Sequence, residues 1–62
     1  MNRREFLRYL AEHNCHVGAE SGPHTAVMNY DNGRKSYLPR HNNIKRGTVR
    51  AICRQLEIPC PF

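Results

Sequence analysis

Asp31-Asn32-Gly33 lies at the midpoint of the chain, between two short runs of alternating side chains. Asn and Gly accept positive φ at little cost, so this tripeptide commits the segments on either side to a hairpin. Ahead of it, His24, Ala26, Met28 and Tyr30 share one parity while Thr25, Val27 and Asn29 share the other. Behind it, Arg34 to Leu38 returns as a strand that Pro39 closes. A further run, Cys15 to Glu20, ends at the turn signal Ser21-Gly22-Pro23 and supplies a third strand. The middle of the chain therefore reads as a three-stranded antiparallel meander.

Helical patterns flank this meander. Asn2 and Glu5 have capping-box spacing, with Asn in place of the usual Ser or Thr. Phe6, Leu7, Leu10 and Ala11 then recur at helical spacing, and Arg3, Arg4, Arg8 and Glu12 fall largely elsewhere on the wheel. The first helix is expected from Arg3 to His13, ending near Asn14, a residue that tolerates left-handed backbone. After the polar connection Arg40 to Asn43, Gly47-Thr48 lies near the start of a second helix. Its stripe is Val49, Ile52, Cys53 and Leu56, and Pro59 and Pro61 are expected to stop it.

Two one-sided helices and one sheet hide their apolar faces most simply when both helices lie on the same side. The expected fold is α+β, in the order α-β-β-β-α. A three-stranded antiparallel sheet carries both helices on one face, as in double-stranded-RNA-binding domains. Residues 1–62 form a single domain. A chain of this size buries only about 60% of its unfolded surface, which leaves no room for a cofactor fold beside a substrate domain. Any chemistry must come from a few surface groups.

Charge narrows the partners. Ten Lys and Arg oppose five Asp and Glu, a formal +5 spread along the whole chain. That excess favours a polyanion through steering and counterion release. A merely solubilising surface is the plain alternative. No long basic amphipathic helix with a bulky aromatic face is present, and no apolar run approaches the ~20 residues that span a bilayer, so no membrane partner is expected. Three cysteines, Cys15, Cys53 and Cys60, cannot all pair within one chain, and no segment has the pattern of a secretory signal. A reducing, cytoplasmic setting follows. His13, Cys15 and His16 with Cys53 or Cys60 lack the paired spacing of a zinc site, so neither metal nor cofactor is expected.

His24 is the candidate catalytic group. Imidazole both takes and gives a proton near neutral pH. Beside RNA such a group needs no cofactor, because the 2′-hydroxyl is already tethered next to the scissile phosphorus. Gly22 allows close backbone approach to a ligand, and Pro23 stiffens the turn that carries the imidazole. Arg34, Lys35 and Tyr37 on the returning strand are candidates for holding RNA and countering charge on a phosphorane. Arg40 is suited to forking onto a phosphate, His41 to supplying a second proton-transfer group, and Lys45 adds a further cation for RNA. Each has a duller reading. His24 is otherwise a surface residue, the strand cations a solvated face, and His41 a loop residue that caps or packs. Gly47-Thr48 offers free backbone N–H groups to phosphate or to water.

Taken in order, several segments resemble one family. They are Arg4-Glu5-Phe6-Leu7-Arg8-Tyr9-Leu10, the G-x-H unit of Gly22 and His24, Pro39-Arg40-His41, and the closing stretch Gly47 to Ile58 with its G-T-hydrophobic-R-x-I-x-x-Q pattern. The chain resembles the HicA-type toxins of bacterial toxin–antitoxin pairs over almost its whole length. The resemblance implies a double-stranded-RNA-binding-like fold, metal-independent cleavage of mRNA, neutralisation by a HicB-type antitoxin, and a catalytic histidine at His24. Departures from the pattern are Pro23 and Thr25, where the family commonly has Ser and often a second His. Asn14-Cys15 and Glu57 stand where glycine is usual. Two rival readings are a non-catalytic RNA-binding module and a protein-interaction subunit whose basic face docks an acidic partner.

Overall fold

A computed structural model describes residues 1–21 and 24–62, the side chains of residues 19–21 excepted. Its elements run α1 (Arg3–Glu12), β1 (Cys15–Ser21), β2 (His24–Asn29), β3 (Lys35–Pro39) and α2 (Arg46–Leu56), the expected α-β-β-β-α order. The strands form one antiparallel sheet in the order β1-β2-β3.

The start of α1 is fixed by the capping box. The Asn2 side chain accepts from the backbone N–H groups of Arg4 and Glu5, and Glu5 accepts from the Asn2 backbone. The helix ends at Glu12, one residue before the expected His13, and Asn14 turns the chain at φ 59°. Asn14 then receives Tyr30 N–H on its carbonyl at 2.9 Å, which ties the helix exit to the hairpin.

Inside that hairpin the last strand pair is Met28 and Lys35, so β3 begins at Lys35 rather than Arg34. The turn closes through Asn29 N–H to Arg34 O and Gly33 N–H to Asn29 O, both at 2.8 Å. Gly33 sits at φ 76°, the position that needs glycine. Between β1 and β2 the register shifts: Val17 faces Val27, yet Glu20 faces Thr25. One extra residue on β1 therefore forms a bulge. Periodicity did not foretell it.

Parity decides which sheet face is buried. Thr25, Val27 and Asn29 of β2 and Ser36 and Leu38 of β3 face inward. Against them pack Phe6 and Leu10 of α1 and Val49, Ile52, Cys53 and Leu56 of α2, in one core with Cys15 and Ile44. Both helices thus cover the same face. Leu7 packs at the edge of this core and Ala11 is exposed, so the inward stripe of α1 is narrower than its sequence suggested. α2 leaves Ile58, Cys60 and Phe62 outside the helix, and its stop is not the expected proline. Glu57 at φ 57° ends it before Pro59 is reached, with Ile58 N–H bonded to Cys53 O in a Schellman turn. Residues beyond Glu57 then fold back along the helix: Tyr9 donates to Pro59 O, and Arg46 lies 4.7 Å from the Phe62 ring centre.

Candidate functional site

With one face of the sheet under the helices, the opposite face stays open. His24 opens β2 on this outer side, exposed, with Ser21 of β1 and Pro39 of β3 as its register partners. Tyr37 lies diagonally across from it on β3 and is 57% exposed, a ring available for stacking. At this end of the sheet a cleft of 660 Å³ opens between the strands and the start of α2. Its lining takes His24, Tyr37 and Pro39 from the strands, His41, Ile44 and Lys45 from the loop that follows, and Thr48 from α2.

The loop wall is stitched to the chain's beginning. Ile44 N–H donates to Met1 O at 2.7 Å, Met1 nitrogen donates to Ile44 O at 3.0 Å, and Arg3 N–H donates to Asn42 O at 2.8 Å. Ile44 itself is buried and anchors the loop from below. The Arg3 guanidinium braces the strand ends. Nη2 donates to Thr25 Oγ1 at 3.2 Å and Nε to Pro39 O at 3.4 Å, next to His24 on one strand and opposite it on the other. Arg3 and Ile44 as supports of the site escaped the sequence reading. Ile44 as the lone large apolar residue of a polar stretch was the available signal.

Positive potential gathers at the same corner. Lys45 caps α2 by backbone alone, and the first turn contains no acidic side chain. The N–H groups of Arg46, Gly47 and Thr48 have no partner within the helix, because its first bond is Val49 N–H to Lys45 O. The dipole end is thus offered to an anion beside two imidazoles and an ammonium.

Of the residues singled out from sequence, His24, Tyr37, His41, Lys45 and Thr48 meet in this cleft. Arg40 is exposed at the bend between two of its residues. Lys35 is not beside His24. It faces Met28, four residues along β2, or roughly 13 Å away at strand spacing. Arg34 turns the other way, onto Glu57 at 2.9 Å. Gly22 and Pro23 lie outside the described residues.

The thiols are elsewhere. Burial, with Cys60 close by, pushes the Cys53 thiol up to about 11, and burial also raises Cys15. Such groups are poor nucleophiles. His13 Nδ1 is within 2.9 Å of Tyr9 O, and His16 Nε2 within 3.2 Å of Asn14 Oδ1. Among the described residues no three His, Cys, Asp or Glu side chains converge on a metal-sized site.

The family model for the HicA toxin of bacterial toxin–antitoxin systems matches residues 3–58. Neither a curated protein nor a solved structure matches the chain. The match runs from the first residue of α1 through the Schellman turn after α2, so it takes in every element that builds the cleft. The chain belongs to the HicA toxin family, and its role is that of a toxin in a bacterial toxin–antitoxin pair.

Proposed function

We propose that this toxin is a metal-independent endoribonuclease that cleaves mRNA at the cleft headed by His24. The observation that carries the reading is the presence of two histidines and a lysine in one open cleft. One imidazole takes the proton of the substrate's 2′-hydroxyl, whose oxygen attacks the adjacent phosphorus. The bond to the 5′-oxygen breaks, and that oxygen takes its proton from the second imidazole. The products are a 2′,3′-cyclic phosphate and a free 5′-hydroxyl. His24 and His41 are the pair, Lys45 and the α2 N–H groups stabilise the phosphorane, and Tyr37 stacks on a base. The neutralising partner is a HicB-type antitoxin that masks this cleft.

The test is cleavage of a long mRNA in the presence of a chelator, with end-group analysis of the products. Wild type should leave cyclic phosphate ends, and His24→Gln should bind RNA without cutting it. Binding without cleavage by wild type would favour a non-catalytic RNA-binding module instead.

A further inference from the structure

Arg46, Arg50 and Arg54 stand four residues apart on α2, all exposed, rising in steps of about 6 Å. Arg50 and Arg54 line a groove between the helix and the returning chain, with Gly47 at its head and Ile58 and Cys60 along its side. Like charges at this spacing repel, and Arg46 also opposes the helix dipole. Among the described residues no acidic side chain pairs with them: the ion pair found there joins Arg34 to Glu57, and Arg46 lies against the Phe62 ring. The groove also meets the cleft. Lys45 and Thr48 line one while Gly47, between them in the same turn, lines the other.

We infer that the outer face of α2 is a phosphate track. It carries the RNA strand away from the His24 cleft, with Arg50 and Arg54 as its remote contacts. This inference rests on the ribonuclease reading for its substrate. Evenly spaced guanidinium forks suit the repeating charge of a phosphodiester backbone, and they give affinity without base preference. An acidic protein segment would also meet the charge. The strand is favoured because the track starts where the scissile phosphate would lie and advances by a regular step.

A 2′-O-methyl RNA 20-mer of mixed sequence is the probe, since it lacks the attacking hydroxyl and stays intact. Its affinity is measured across a salt series for wild type, the double variant Arg50→Gln/Arg54→Gln, the double variant Arg50→Lys/Arg54→Lys and the control Arg8→Gln. The slope of log affinity against log salt should become shallower by about 1.4 in the Gln pair, 0.7 for each charge removed. The Lys pair should keep the wild-type slope, and Arg8→Gln should keep it too. Circular dichroism of each variant verifies folding. A Gln pair whose slope matches that of Arg8→Gln overturns the track. So does an unchanged RNA slope with lost binding to a polyglutamate peptide, which would make the face a protein dock. Failure of the ribonuclease reading would look different: no cleavage by wild type, with the slopes as expected.

Discussion

His24 is exposed at the first position of β2, and its imidazole lends nothing to the core. His24→Ala should therefore move stability by less than about 1 kcal/mol, as surface substitutions do. Cleavage of mRNA should fall by roughly 10²–10⁴-fold, the loss of a positioned proton-transfer group, while RNA binding persists. Thermal melts and a cleavage time course are the checks, and a folded His24→Ala variant that still cuts at the wild-type rate would remove His24 from the chemistry. Two other single residues carry backbone strain. Asn14 and Glu57, which stand where the family resemblance expects glycine, both hold positive φ. Asn bears this cheaply, whereas Glu does not. Glu57→Gly should relieve about 1 kcal/mol and give back a few tenths by losing the exposed Arg34 pair. A net rise in melting temperature is expected, and it should shrink little when Arg34→Gln is combined with it. A drop in melting temperature would mean that the ion pair outweighs the strain.

Between elements, the hairpin clasps the end of α2. Asn29 is buried, and its Nδ2 donates to Leu56 O at 2.8 Å while Asn32 Nδ2 reaches the same carbonyl at 3.1 Å. The Asn29 side-chain oxygen meanwhile accepts from Asp31 N–H. One polar side chain thus satisfies a helix terminus and a turn together, and no buried side-chain N or O among the described residues lacks a partner. Asn29→Ala should cost about 1–3 kcal/mol, because it removes the buried bond to the Leu56 carbonyl and leaves the part-buried Asp31 N–H without its acceptor. Urea melts would measure it, and a change under about 0.5 kcal/mol would show that water replaces both bonds. The alternation of β2 marked Asn29 as sharing a face with Val27, yet no period tells an inward Asn what it will bond. The bulge in β1 and the left-handed stop of α2 at Glu57 escaped for a similar reason. Each is a local event that hydrophobic period does not record.

At the scale of the molecule, the thiol environment sets a pH limit. Cys53 has its ordinary value of 9.0 raised to about 11, chiefly by burial. Its neutral form is thus preferred in the folded protein. The stability linked to this group is complete below about pH 9 and is lost as pH rises towards 11, by roughly 2 kcal/mol. Urea midpoints taken from pH 8 to 11 should fall across that window, and Cys53→Ala should flatten the fall. An equally steep fall in the variant would assign the effect to other groups. A second expectation concerns the antitoxin. Under the proposed function, a HicB-type partner that masks the cleft should protect β2, Tyr37 and the His41–Lys45 loop from hydrogen exchange. Protection confined to the helical face would count against occlusion of the cleft.

Element order, strand parity, the hairpin and the apolar stripe of α2 were all determined by the sequence alone. Each depends on neighbours a few residues apart: Asn2 caps the helix with its own side chain, Gly33 acts through its backbone and Val49 through its period. The candidate histidine was legible for the same reason, as an exposed imidazole beside a turn. Only the tertiary structure decided its company. Folding brings His41 and Lys45 into the cleft because Met1 and Ile44 pin their loop to the entry of α1. It separates Lys35 by four residues of strand and spends Arg34 on Glu57, although in sequence both looked as close to His24 as Tyr37 did. Linear spacing orders residues along one element. Which elements meet, and which side chains their meeting consumes, follows from how the buried faces pack.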